Sequence, residues 1–188
     1  MKLVEVHKEA SGRFLNYYKL HYKNRDGDNK IYEMISRNSN IQGPEDLSSA
    51  PADAVIILAF DKEKEKILLL REFRMAINDY VYDTPAGLVD EGETLSETAA
   101  RELYEETGLE IVNIIDVLPP AYSAVGISNE KTVVVVCEAA GNIEPHLEAN
   151  EEIEPFWATK EQVKEMLKDK IHLAAARTQM AMYFWANS

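Results

Sequence analysis

Pro85-Ala86-Gly87-Leu88-Val89-Asp90-Glu91-Gly92-Glu93, continued by Arg101-Glu102-Leu103-Tyr104-Glu105-Glu106-Thr107-Gly108-Leu109, is the stretch from which the fold is read. It reads as a strand end, a glycine-bearing loop and a helix that stops at a glycine. Thr94 with Glu97 three residues later is a capping-box pattern. The helix body is expected from about Leu95 to Thr107, with Gly108 at the C′ position. At about 100° per residue, Leu95, Ala99 and Leu103 share the face that should pack on a sheet. Glu102 and Glu106 fall in that sector or at its edge, with Glu105 a little to one side.

A buried carboxylate is costly unless it is paired or binds a metal. Several together repel and raise one another's pKa values. A divalent cation relieves both problems, and hard oxygen donors on one helix suit Mg²⁺ or Mn²⁺. The alternative is a solvated acidic helix end. Glutamates near a helix C-terminus also oppose the macrodipole, a small cost that a function would explain. Gly87 and Gly92 read either as turn residues or as side-chain-free positions where a backbone carbonyl, such as that of Ala86, can approach a metal.

Working outward, Ala54–Phe60 and Ile67–Leu70 are continuous apolar runs, as in strands buried on both faces. Tyr80–Thr84, Ile111–Leu118, Thr132–Cys137 and Phe156–Ala158 read as further strands. Pro119–Glu130 reads as a long loop, and Asn142–Glu152 as an acidic irregular one. Thr159 with Gln162 opens a second capped helix to about Lys168, and Leu173–Ala186 looks like an apolar-faced terminal helix. Before the apolar runs, Phe14–Tyr22 and Ile31–Ile35 flank an Asp-Gly turn and predict a hairpin. Asn38–Ala52 is polar and reads as a linker. The expected fold class is α+β, an α/β/α sandwich with a mixed sheet, with a small antiparallel β subdomain over 1–50 and the main domain over 51–188.

The 188 residues carry a formal net charge of −13, which argues against a nucleic-acid binder. A phosphorylated small molecule stays compatible if cations and local arginines offset the field. One cysteine, Cys137, excludes an internal disulfide and points to a reducing compartment. No signal peptide or membrane-spanning run is read, so a cytoplasmic protein is expected. Tyr17, Tyr18, Tyr22 and Tyr32 could stack on a base or pack the hairpin. His7, His21, His146 and His172 show no metal-ligand spacing.

Gly87 to Leu109 resembles the Nudix box, G-x5-E-x7-R-E-U-x-E-E-x-G-U with U aliphatic. It matches at Gly87, Glu93, Arg101, Glu102, Leu103, Glu105, Glu106, Gly108 and Leu109. The resemblance implies a hydrolase of nucleoside diphosphates linked to another moiety. It implies Glu102, Glu105, Glu106 and the Ala86 carbonyl as Mg²⁺ or Mn²⁺ ligands, Glu93–Arg101 as a loop-to-helix ion pair, and Glu105 and Glu106 in catalysis. The hairpin-rich N-terminus, Arg71-Glu72-Phe73-Arg74, and Gly126-Ile127-Ser128-Asn129-Glu130 resemble ADP-ribose and nucleotide-sugar pyrophosphatases. That likeness implies a homodimer built through the N-terminal unit, with Arg71 and Arg74 at the diphosphate and Glu130 facing substrate. The alternative for the arginines is a strand-end charge pair with Glu72. The frame Asn150-Glu151-Glu152-Ile153 places Glu151 at a late metal position. Ala149 stands where the base is expected, so Glu148, Glu151, Glu152 or a box glutamate would serve. Val125 replaces the proline usual before the glycine in ADP-ribose enzymes. Two rival readings are a non-catalytic sensing module of the same fold and a hydrolase of nucleoside triphosphates or dinucleoside polyphosphates.

Overall fold

The computed structural model describes residues 1–48, 51–168 and 173–188; Ser49 and Ala50 of the expected linker, and His172, lie outside the described residues. The elements run β1 (Lys2–Ser11), β2 (Asn16–Lys23), β3 (Asn29–Ser36), α1 (Pro44–Ser48), β4 (Ala54–Phe60), β5 (Lys66–Arg74), β6 (Asp79–Asp83) and β7 (Ala86–Leu88). Then follow α2 (Leu95–Thr107), β8 (Glu110–Val117), β9 (Ala121–Tyr122), β10 (Lys131–Ala140), β11 (Ile153–Thr159), α3 (Lys160–Met166), β12 (Leu173–Ala174) and α4 (Ala176–Ala186). Two compact units divide them. The first is Met1–Asp53 with Pro120–Thr132, and the second is Ala54–Pro119 with Val133–Ser188.

The first unit is an antiparallel sheet in the order β1-β2-β3. The β2–β3 hairpin turns where Asn24 Oδ1 accepts the N–H groups of Asp26 and Asp28, at 2.9 and 2.8 Å. Its core is Tyr18, Leu20, Met34 and Ile41, and the Tyr18 hydroxyl donates to Asn38 O at 2.9 Å. Tyr18 therefore packs the hairpin. The hairpin prediction omits β1, because that strand is exposed along most of its length and only Leu3 and Val6 pack, in part, against the core, too few for a strand period to register. It omits α1 as well. Pro44 opens that five-residue turn and Asp46 Oδ2 accepts the N–H groups of Gln42 and Gly43, features too short for periodicity to register. The segment 120–132 joins this unit through Tyr32 Oη–H to Gly126 O at 2.6 Å and Ile35 N–H to Ile127 O at 2.9 Å.

In the second unit the sheet order is β12-β6-β5-β4-β10-β8, with β11 on β5 and β7 on β4. The sheet is mixed, since β12 runs parallel to β6 while β5 is antiparallel to β4, β6 and β11. Ile67 to Leu70 of β5 are fully buried. Ile67 and Leu69 pack with Val163 of α3 and Met182 and Ala186 of α4, so Leu68 and Leu70 face the opposite layer by strand alternation. That layer is α2, which contributes the fully buried Ala99 and Leu103. The result is the expected α/β/α arrangement.

Two expectations need correction. Leu173–Ala174 is not helical but a strand beside Val81 and Tyr82. Ala175 N–H then goes to Tyr82 O at 3.0 Å, so the sheet edge takes the donors that a helix start would use. In α4 the apolar residues lie all round, with Met182 buried and Met180, Tyr183 and Phe184 exposed. Among the described residues no helix is long and apolar enough to cross a membrane.

Candidate active site

Helix α2 starts where Thr94 accepts the Glu97 N–H and Glu97 accepts the Thr94 N–H, and it ends at Gly108 with φ of 77°. Those two caps fix the phase of the helix, and the phase sets which carboxylates are buried. Glu106 is 7% exposed and the Glu102 side chain 14%. Glu105 stays half exposed. The Glu106 carboxylate accepts the Ala86 N–H at 3.2 Å. Burial, reinforced by Glu72 and Glu102, pushes its pKa well above the usual carboxylate range. Burial also raises the pKa of Glu102.

Gly87 lies in β7, opposite Val55, rather than in a turn. A Cβ there would overlap the Glu102 carboxyl group, so the missing side chain leaves room for a carboxylate against the strand. Gly92 is the turn residue, at φ of 90°.

Arg101 gathers the exposed rim. It donates to Glu93 Oε1 at 2.8 Å, Glu102 Oε1 at 2.7 Å, Glu105 Oε2 at 3.2 Å and Leu88 O at 3.1 Å. Glu93 also accepts the Thr98 hydroxyl at 2.8 Å. The Arg101 bonds and then that hydroxyl bring the Glu93 pKa down to about 2. The loop-to-helix ion pair is thus present, and the same guanidinium also restrains two carboxylates of α2.

Strand alternation separates the two arginines of β5. Arg74 pairs with Glu72 at 2.9 Å and with Asp83 at 3.3 Å. Asp83, 2% exposed, also takes Arg177 at 2.8 Å and the Thr178 hydroxyl at 2.6 Å. Arg71 goes the other way. Its guanidinium lies 3.6 Å over the Tyr80 ring and pairs with the exposed Glu154 at 3.1 Å. The charge pair with Glu72 therefore belongs to Arg74, while Arg71 is held by an exposed pair of little strength. Glu72 and Asp83 are the residues that the sequence reading does not place in the site. Burial raises the Glu72 pKa, with Asp83 and Glu151 adding to it. The signal was available: Arg-Glu-Phe-Arg on a strand sends Glu72 and Arg74 to one face together.

The acidic loop splits in the same way. The charge of Glu151 adds to the fields on Glu72 and Glu102, after burial and the other charges around them. Glu152 accepts the Tyr80 hydroxyl and stands with Tyr80 and Arg71 instead, and this bond raises the Tyr80 pKa. Glu130 belongs to the first unit, where it accepts Arg37 Nε–H at 2.8 Å. Ala149 contributes no side chain that could take a proton. Among the described residues no three His, Cys, Asp or Glu side chains form a ready metal cage. The donors still suit a hard divalent cation: carboxylates on one helix, two of them desolvated, beside a glycine that leaves room for one of them.

A family profile described as NUDIX domain matches residues 50–178. An ADP-ribose pyrophosphatase of Saccharomyces cerevisiae is 30% identical over 168 residues, covering 82% of this chain and 69% of that one. An ADP-sugar pyrophosphatase of Mus musculus is 29% identical over 141 residues, covering 72% of this chain and 62% of that one. This chain therefore spans less than two thirds of the mouse relative. A crystal structure of an ADP compounds hydrolase superposes with a TM-score of 0.73 at 21% identity, covering 97% of this chain and 91% of that one, which shows a shared fold.

Two stability outcomes are expected. Arg74→Ala leaves Asp83 to Arg177 and Thr178 alone and should cost about 1–3 kcal/mol in urea unfolding. Arg71→Ala should leave the midpoint unchanged; equal losses for the two variants would contradict the separation of their roles. For Glu106, the folded pKa lies above the unfolded one, so the fold favours the protonated acid. Its contribution is complete below the ordinary carboxylate pKa and is lost as pH rises through the raised value. In EDTA, Glu106→Gln should therefore melt above the parent at pH 8 and depend less on pH between 5 and 8. Identical pH slopes would show that Glu106 is not desolvated.

Proposed function

The chain belongs to the Nudix domain family, and on that premise we propose that it hydrolyses the diphosphate linkage of a nucleoside diphosphate derivative, ADP-ribose or a nucleotide sugar. The observation that carries this is the pair Glu102 and Glu106, desolvated on α2 beside Ala86 and Gly87. An ordinary surface helix does not bury two carboxylates four residues apart. The names of the yeast and mouse relatives support the substrate class.

In this reading Glu102, Glu105, Glu106 and the Ala86 carbonyl hold Mg²⁺ or Mn²⁺, and Glu151 approaches from the acidic loop. The bound cation supplies charge neutralisation at the diphosphate and a lowered pKa for water. Arg101 keeps Glu93, Glu102 and Glu105 in fixed rotamers, so little ordering remains when the site fills. Arg74, on the same side of β5 as Glu72, acts on the diphosphate charge from behind Glu72 and Asp83, while Arg71 keeps to Tyr80 and Glu154 at the rim. Glu106 or Glu151 accepts the proton of the attacking water. One P–O–P bond breaks and water supplies the new oxygen, leaving a nucleoside monophosphate and a sugar phosphate. Residues 1–50 serve as a dimerisation subdomain, 51–188 form the catalytic domain, and the protein works in the cytoplasm.

A panel of ADP-ribose, other nucleotide sugars, nucleoside triphosphates and dinucleoside polyphosphates, with product analysis, tests this. Turnover should be confined to the first two classes, vanish in EDTA and return with Mg²⁺ or Mn²⁺. Glu106→Gln should fall by at least about 10²-fold in kcat while staying folded; full activity in that variant, or a preference for triphosphates, would refute the reading. Sedimentation at micromolar concentration should give twice the chain mass, and an active monomer would remove the dimer.

A further inference from the structure

The last turn of α2 is completed by a segment far along the chain. Glu144 N–H donates to Thr107 O at 3.0 Å, and His146 N–H to Glu105 O at 2.7 Å. Pro145, with no N–H to offer, sits between these two donors. A helix leaves its final carbonyls without internal partners. Here Gly108 N–H takes Tyr104 O at 2.7 Å, and the distant segment takes two more. Gly108 makes the approach possible, since a Cβ there would lie 2.5 Å from Glu144 O and 2.7 Å from Glu144 N. This glycine thus answers two demands, a left-handed turn and the close passage of a second backbone.

The side chain of His146 adds a further hold. Its ring stacks on Tyr104 at 4.6 Å between centroids and 27° between planes. Two residues on, the acidic loop begins. Glu148 N–H donates to Glu151 Oε2 at 2.9 Å, and Glu151 N–H to Glu148 O at 3.1 Å. The far side of the loop is tied to the sheet, where Phe73 N–H donates to Glu152 O at 3.0 Å and Ile153 pairs with Glu72. The loop is therefore pinned at one end to the helix that carries Glu102 and Glu106, and at the other to the strand that carries Glu72.

We propose that His146 is a positioning residue: its N–H on Glu105 O and its ring on Tyr104 hold the acidic loop Glu148–Glu152 in register with the carboxylates of α2. The inference rests on the reading of that helix and loop as one hydrolytic site. Tyr104 is adjacent to Glu105 in sequence and half exposed, so it has little packing of its own to make. Its ring gives the incoming segment a flat seat one residue from a carboxylate of the site.

The test compares His146→Ala, His146→Phe, Tyr104→Ala and the double alanine variant. Two readouts are taken: steady-state kinetics on ADP-ribose with Mg²⁺, and amide hydrogen exchange of residues 148–152 in the substrate-free protein. His146→Ala should lower kcat by about tenfold with KM nearly unchanged. It should also speed loop exchange by about fivefold, the scale of an aromatic pair. His146→Phe keeps the flat ring and should restore both. Tyr104→Ala should match His146→Ala, and the double variant should lose no more than either. Unchanged loop exchange in His146→Ala would overturn the proposal, as would a Phe variant no better than Ala. If the alanine variant does not fold, His146→Leu, which keeps bulk but not the flat face, gives the same reading. A parent protein inactive on every substrate would refute the hydrolase reading, yet the exchange data would still decide whether His146 anchors the loop.

Discussion

The Glu106 carboxylate lies against the backbone of β7, out of water, with the Ala86 N–H as its hydrogen-bond donor. Much of the second unit is arranged around the cost of that placement. A desolvated carboxylate is tolerable if it is protonated, paired with a cation or hydrogen-bonded repeatedly. The nearest acids, Glu72 and Glu102, make ionisation harder still. Helix phase forces the conflict: with Ala99 and Leu103 packed into the sheet, positions 102 and 106 must turn inward. A chain that only needed a stable helix would carry leucine or alanine at both. The glycine at 87 deepens the commitment, because it lets the Glu102 carboxyl occupy the space of a strand side chain.

Positive charge is distributed so as to leave this conflict unresolved. Arg101 spends its donors on Glu93, Glu102 and Glu105, and Arg74 and Arg177 converge on Asp83. The strongest pairs therefore lie around the cluster. Glu93, the best paired, has its pKa lowered to about 2, while Glu72, Glu102 and Glu106 all shift upward with burial as the leading cause. In a chain of net charge −13, that contrast separates the acids that the fold pairs from those that it desolvates.

Much of this was legible because it is local. The capping box at Thr94, the helix end at Gly108 and the inward phase of Glu102 and Glu106 depend on residues within a few turns of one another. Other features depend on contacts between distant segments. The second demand on Gly108 comes from Glu144, whose backbone position no spacing rule predicts. The edge strand β1 is held by backbone pairing with β2 and tucks only Leu3 and Val6 partly against the core, so its sequence carries no sustained period to detect. The faces of Arg71 and Arg74 sit between these cases. Alternation along β5 separates them, but their partners Glu154 and Asp83 come from other strands, and only the tertiary pairing says which arginine is committed.

The helix terminus links the acids of α2 to the acidic loop in a way that neither shows alone. The carbonyl end of a helix carries partial negative charge and disfavours glutamates in its last turn. Helix α2 has no basic residue there and places Glu105 and Glu106 in that turn. The N–H groups of Gly108, Glu144 and His146 occupy three of the terminal carbonyls, so part of the opposing field is quenched at its source. The segment that quenches it is the one that leads into Glu148–Glu152. Docking of that segment therefore does two things at once: it lowers the electrostatic cost of carboxylates at the helix end and brings the charge of Glu151 toward Glu72 and Glu102. A change that loosened the segment would shift both in the same direction, making the helix less tolerant of its own acids as the loop drew away.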